Sequence, residues 1–462
     1  MVFASPVFLF IFLPAFLLVY SLLPAKARPY WLLAGSLGFY FWGEPVYVLL
    51  MLVIITVNYL AGLLLPPLGA HEKATGGRKL VLVAAIAVNL AVLGYFKYAG
   101  FFVDSLNRLG AGPFSVPKIV LPIGISFYTF QSMSYVIDVY RYEVDPQYNP
   151  LLFGTYVSLF PQLIAGPIVR YRDVAGQLTG REETWSRFAY GTIRFVYGLA
   201  KKVLLANQLG VLADRMLQTE AGTLSAWVGM AAYTLHIYFD FSGYSDMAIG
   251  LGRMLGFRFK ENFDYPYVSR SITEFWKRWH MSLSSWFREY VYIPLGGNRR
   301  GRARQYLNLM IVWALTGLWH GAAPNFILWG LYYAALLILE KQFFGKLTAR
   351  LPGFLQHILT LLIVAFGWGI FYYTDFGLFR AFAGRLFSSQ PDSEEALRFA
   401  AAYLPTLLAA CIAATGRPNA LLKKLRRGRF FWMEIVFLSV LFILSTAALV
   451  NQSYNPFIYF RF

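Results

Sequence analysis

The sequence predicts an all-α, polytopic membrane protein, and three observations carry that prediction. Of its 462 residues, 58% are hydrophobic and 14% are charged. A soluble domain carries about 25% charge, so this chain has too little polar surface to face water all round, and lipid must be its main solvent. Apolar runs near the length that crosses a bilayer core, about 20 residues, recur along the chain. Aromatics make up 18%, with 12 Trp and 31 Tyr, types that settle where one ring edge is wet and the other dry.

The apolar runs fall at 5–23, 30–43, 45–65, 80–100, 119–139, 151–168, 224–240, 306–321, 325–343, 356–373, 397–414 and 430–450. No basic residue precedes the stretch from Val7 to Leu23, so it lacks the charged start of a cleaved signal and reads as a retained first helix. Several later runs are short or interrupted by Gly and Pro, as in helices that enter partway or bend inside a bundle. The length rule gives roughly ten to twelve transmembrane or re-entrant helices. With no internal repeat, low-complexity tract or long polar linker, residues 1–462 read as a single integral membrane domain.

The formal charge is +18. In a soluble chain that would suggest nucleic acid, but here the basic residues sit in loops between apolar runs, where the positive-inside rule puts them. Nucleic-acid binding is therefore not expected. Lys26, Arg28, Lys73, Arg78, Lys79, Lys201 and Lys202, the dense segment 253–304, and the cluster from Lys423 to Arg429 are expected on the cytoplasmic side. The acidic loop of Asp392, Glu394 and Glu395 is expected outside. A lone Cys411 excludes an intrachain disulfide and any CxxC motif.

Two stretches read as helices near the cytoplasmic interface. In 185–207, Arg187, Arg194 and Lys201 recur every seven residues on one face. From Ser271, an S-x-x-E capping box with Glu274 opens a helix. Trp276, Trp279, Leu283, Trp286 and Tyr290 then follow at helical spacing as its apolar face. Such a helix closes a site or simply anchors the chain at the membrane surface.

Chemistry narrows to a few positions. His71 lies in a polar loop and His357 starts a membrane run, an interface position. His320 ends Leu307–Trp319, a stretch without charge. An ionisable group at that depth is a functional candidate, and a neutral imidazole can take and return a hydroxyl proton; a buried histidine bonded to a backbone carbonyl is the plain alternative. His280 follows Trp276 on the amphipathic stretch and is a candidate for orienting substrate. His236 and Asp240 are one helical turn apart, and Asp240-Phe241-Ser242-Gly243-Tyr244-Ser245-Asp246 is the densest polar cluster in apolar surroundings. It suits substrate binding through Asp240, Ser242 and Tyr244, a carboxylate–histidine pair, or simple helix-to-helix glue; no metal site is expected from two ligands at this spacing. Gly296-Gly297-Asn298 before Arg299 and Arg300 is either a phosphate cradle or an ordinary turn. No G-x-S-x-G, Walker or H-E-x-x-H motif occurs.

Longer motifs join these residues: Leu121-Pro122-Ile123-Gly124-Ile125-Ser126-Phe127, Phe160-Pro161-Gln162-Leu163-Ile164-Ala165-Gly166-Pro167, Tyr238-Phe239-Asp240-Phe241-Ser242-Gly243-Tyr244, Glu274-Phe275-Trp276-Lys277-Arg278-Trp279-His280, Gly317-Leu318-Trp319-His320-Gly321 and Asn455-Pro456-Phe457. Together they resemble the membrane-bound O-acyltransferase (MBOAT) superfamily, and within it the bacterial alginate O-acetyltransferase (AlgI-like) branch. The resemblance implies a helical bundle around a central pore, with His320 at the family's catalytic histidine and His280 at its second signature position, which many eukaryotic members fill with Asn. Trp276 and Trp319, beside these histidines, join Asp240, Ser242 and Tyr244 as expected substrate-binding residues. It implies acetyl-CoA as a cytoplasmic donor substrate, with no permanently bound cofactor. The acceptor would be an extracytoplasmic acetyltransferase of the AlgJ or AlgX type or the polysaccharide itself, and the location the bacterial inner membrane. A D-alanyl transferase acting on teichoic acid, and a transporter or flippase, are the alternatives.

Overall fold

The computed structural model describes residues 2–66, 76–164, 166–218, 222–426 and 431–451. Every regular element among them is helical, and no strand occurs. Among the described residues, four helices are long and apolar enough to cross a membrane: Gly76–Arg108, Pro324–Thr348, Gly353–Tyr372 and Trp432–Asn451. The pair Glu394–Ala402 and Leu404–Ala414, bent by 47°, would make a fifth, and Phe8–Leu22 and Tyr47–Leu63 are shorter apolar helices. The chain is thus an all-α, multi-pass membrane protein whose full-length spans among the described residues are fewer than its apolar runs.

Local backbone chemistry explains the difference. The run 119–139 becomes helical only at Ile125, behind Gly124 in the left-handed region at φ 76°. A Cβ there would lie 2.5 Å from the Leu163 carbonyl oxygen, so only glycine fits. The run 151–168 breaks at Leu159, whose backbone leaves helical geometry before Pro161. In contrast, the run 224–240 ends too early: its helix extends from Thr223 to Met254 and carries the whole Asp240–Asp246 cluster within it.

The single membrane domain read from the sequence contains two compact units: residues 1–195 with 246–260, and residues 196–245 with 261–462. In the first unit the helix Arg28–Gly43 packs on Pro150–Ser158, and Ser36 Oγ accepts from the Phe160 backbone N–H at 3.1 Å. Asn58 and Asn89 exchange side-chain amide bonds at 2.8 and 3.1 Å between Tyr47–Leu63 and Gly76–Arg108, the polar glue that apolar surroundings favour. Arg78, expected in a loop, is buried and donates to the Tyr140 carbonyl at 2.9 Å.

The expected interfacial helix 185–207 is continuous helix: Trp185–Ala200, a π-helical turn Lys201–Ala206, then Asn207–Gln218. Arg187 pairs with Glu182, and Arg194 meets Asp246 at 2.7 Å. Lys202, read as a cytoplasmic loop cation, is instead buried. His71 and the terminal Asn455-Pro456-Phe457 motif lie outside the described residues, as do Arg427 and Arg429 of the C-terminal basic cluster.

Candidate active site

The site histidines belong to the second unit, on a frame set by two glycines. The helix Arg302–His320 and the helix Pro324–Leu339 form a hairpin. A Cβ on Gly317 would lie 2.2 Å from the Phe326 carbonyl oxygen, and one on Gly330 would lie 2.2 Å from that of Trp313. The two backbones therefore touch where only glycine fits. The first helix stops at His320 because Gly321 turns extended and Pro324 starts the second. His320, 8% exposed, is left at the closed end of this hairpin.

Aromatic rings wall that end. The His320 ring centroid lies 5.0 Å from Trp319, 5.1 Å from Trp329 and 5.4 Å from Phe371, each near edge-to-face. Asn325 fixes Phe371 by donating to the carbonyls of Phe371 and Ile370 at 3.1 and 3.3 Å, which satisfies orphan groups at a helix end. Trp276 belongs to the next layer, against Trp313 (4.6 Å), Tyr333 (4.7 Å) and Trp329 (5.6 Å). It supports Trp329, and its ring contacts among the described residues are with other aromatic side chains.

His280 reaches the same place from a different element. Ser271 caps its helix as expected, accepting from the Glu274 N–H at 3.0 Å, but Glu274 turns back to the Arg270 N–H instead of Ser271's. Glu340 adds a carboxylate to that helix start, accepting from the N–H groups of Ile272 and Thr273 at 2.7 and 3.1 Å. The expected single amphipathic helix is two helices, Ile272–Arg278 and Met281–Phe287. Trp279 is extended and His280 is left-handed at φ 43°, ψ 53°, so the Trp276-to-Tyr290 stripe is not one straight face. That break turns His280 inward, 2% exposed. Its ring lies 5.8 Å from Trp319 and 4.7 Å from Phe241, with Phe263 stacked at 6.3 Å. Trp319 thus contacts both histidines. Burial pushes the His280 pKa down to about 3, so this imidazole is neutral.

The Asp240–Asp246 cluster is divided between roles. Phe241, not a polar member, touches His280. Asp240 is fully buried and meets Lys202 Nζ at 2.6 Å. Gly243 permits that approach: a Cβ there would lie 2.8 Å from the Gly198 carbonyl oxygen. Of the options for this cluster, Asp240 forms an ion pair with Lys202, while His236 Nδ1 donates to the Ala206 carbonyl at 2.7 Å. Ser242 and Tyr244 are buried on the same helix. His357 donates from Nδ1 to the Ser269 carbonyl at 3.1 Å, a packing contact. The Gly296-Gly297 segment is a turn: its two N–H groups donate to the carbonyls of Ile293 and Tyr292, leaving them no part in a phosphate cradle.

Sequence reasoning missed Lys202, Phe241, Asn262, Phe263, Asn325 and Phe371. Lys202 was hidden by its basic neighbour Lys201, and the others meet partners 17 to 51 residues away in the chain, as Phe263 with His280 and Phe371 with His320 do. Local periodicity carries no signal of such pairs.

The chain has relatives among known proteins. The pattern of the membrane-bound O-acyltransferase family matches residues 141–381, which include both histidines. The chain is 47% identical over 376 residues to the probable alginate O-acetylase AlgI of Pseudomonas aeruginosa, covering 80% of this chain and 72% of that protein. It is 40% identical to the protein of that name in Pseudomonas putida over the full length of both. It is 33% identical to the peptidoglycan O-acetyltransferase of Helicobacter pylori, over 80% of this chain and 77% of that protein.

Proposed function

Because the chain belongs to the membrane-bound O-acyltransferase family, and is thus an O-acyltransferase, we propose that it moves an acetyl group from cytoplasmic acetyl-CoA to an extracytoplasmic acceptor in exopolysaccharide O-acetylation. The acetyl group and the polymer are suggested by relatives named for alginate and peptidoglycan O-acetylation. In this reading the protein lies in the bacterial inner membrane and hands acetyl to an AlgJ- or AlgX-like partner or to polysaccharide directly.

The observation that carries the mechanism is the buried imidazole of His320, enclosed by Trp319, Trp329 and Phe371. A thioester is already activated, so transfer needs a positioned hydroxyl, a base and exclusion of water. His320 takes the proton of the acceptor hydroxyl as its oxygen attacks the acetyl carbonyl carbon. The C–S bond then breaks, and the imidazolium returns the proton to the thiolate, leaving an ester and a free thiol. The ring walls keep water from hydrolysing the donor. His280, neutral and weakly basic, orients the substrate as a hydrogen-bond acceptor, and Trp319 spaces the two imidazoles. Ser242 and Tyr244 are second candidates for substrate contact, while the Lys202 partnership gives Asp240 a structural role. Arg299, Arg300 and Arg302 are exposed before the His320 helix, and guanidinium forks there suit coenzyme A phosphates.

The test uses everted membrane vesicles carrying the full chain, with labelled acetyl-CoA supplied to the cytoplasmic face. Label is expected on an acceptor on the lumenal side with the native protein and not with His320→Ala. Full transfer by His320→Ala would refute the assignment of the base. Transfer from a D-alanyl carrier-protein thioester but not from acetyl-CoA would refute the donor.

A further inference from the structure

Asn262 is fully buried, and its side-chain oxygen sits at the centre of a small network. The Ser282 backbone N–H donates to Asn262 Oδ1 at 3.1 Å, and Ser282 Oγ donates to it at 2.9 Å. A backbone N–H can only donate, so the Asn262 atom facing it must be the oxygen and not the amide nitrogen. His280 Nδ1 lies 3.1 Å from that same oxygen. An oxygen acceptor requires a hydrogen on Nδ1. In the neutral imidazole, Nε2 then carries the lone pair. That nitrogen is buried and has no hydrogen-bond partner among the described residues.

The backbone holds the same arrangement. The Met281 N–H donates to the Asn262 carbonyl at 2.9 Å, and the Asp264 N–H donates to the Arg278 carbonyl at 2.9 Å. These two bonds clamp the chain on either side of His280, whose left-handed conformation is uncommon for a residue other than glycine. The loop 262–264 is thus a template against which the break between the two short helices is formed. A buried acceptor atom without a partner is costly unless a guest fills it.

We propose that Asn262 is a positioning residue of the acyl-transfer site: it fixes His280 in the Nδ1–H tautomer, so that Nε2 presents a lone pair to a hydroxyl or amide N–H of the bound substrate. This rests on the reading of His280 as a substrate-orienting residue. Asn262 Nδ2 has no hydrogen-bond partner among the described residues, so Asn262→Asp keeps the needed oxygen and loses no bond. Asn262→Leu removes the acceptor.

The experiment combines nitrogen NMR of the full-length protein, labelled at histidine in lipid bilayers, with steady-state kinetics of acetyl transfer. Five histidines make assignment by difference with His280→Asn practicable. Native protein should carry its His280 proton on Nδ1 alone. Asn262→Leu should mix the two tautomers and lower kcat by up to about five-fold, the value of the one substrate hydrogen bond that His280 would lose, with KM for the donor little changed. Asn262→Asp should restore the single tautomer and most of kcat. A proton on Nε2 in the native protein would overturn the proposal. So would an Asn262→Leu protein that keeps both tautomer and kcat. Full transfer by His280→Asn would instead sink the role of His280, while the tautomer spectrum would still decide what Asn262 does to the ring.

Discussion

The second unit holds two buried polar regions within one bundle, and they are built on opposite principles. Around Lys202, buried charge is met inside the protein: the ammonium lies 2.6 Å from Asp240, and His236 Nδ1 is spent on the Ala206 carbonyl. Around Trp319, the imidazoles are walled by rings, and His280 keeps a nitrogen with no hydrogen-bond partner among the described residues. Both regions contain a histidine whose Nδ1 is fixed by an oxygen, so burial and tautomer control alone do not distinguish a site from a strut. The difference lies in what is left over. A closed pair of charges ties helices together, while a buried lone pair without a partner among the described residues is what the proposed substrate would meet.

The largest expected effect falls on the open region. His320→Ala should lower acetyl transfer by about 10²–10⁴-fold with its melting temperature in detergent close to native; a smaller loss would move the base to another residue. The closed region should answer in stability instead. Lys202→Met strands a buried Asp240 carboxylate and should cost about 3–5 kcal/mol, read by reversible unfolding in mixed micelles. The double change Lys202→Met with Asp240→Leu should recover most of that loss, and failure to recover would mean the pair does more than balance charge.

Smaller effects sharpen the boundary between the two regions. Gly330→Ala puts a methyl 2.2 Å from the Trp313 carbonyl oxygen and should cost about 1–3 kcal/mol by overpacking. Since the same hairpin carries His320, transfer should fall along with the melting temperature. His280→Asn is the mildest: Asn tolerates the left-handed backbone, and loss of one hydrogen bond to substrate, about 1 kcal/mol, should slow transfer roughly five-fold with stability unchanged. A drop as deep as that of His320→Ala would promote His280 from orienting residue to proton carrier.

Much of this was legible in the sequence. Long apolar runs gave the membrane class, because lipid imposes a length and a composition on any helix that crosses it. His320 stood out as the ionisable end of an uncharged run, and Ser271 announced its cap. Helix continuity was less legible. Nothing local says that Thr223–Met254 continues through a polar cluster while the stripe from Trp276 breaks at His280; packing against Gly198 and the bonds from Asn262 decide those outcomes. Lys202 was misread for a related reason. The positive-inside rule describes loops, and a π-helical turn placed this lysine inward toward a carboxylate 38 positions later.

Tryptophan is concentrated where the chemistry is proposed. Trp276, Trp313, Trp329 and Trp368 form one connected set of rings, and Trp319 joins it through His320, which both Trp319 and Trp329 flank. Indoles this close share excitation energy, so light absorbed anywhere in the set is reported by whichever ring sits lowest in energy. A donor that slides between Trp319 and a histidine would dim or recolour the emission of the whole group, giving the protein an optical gauge of occupancy that needs no added label.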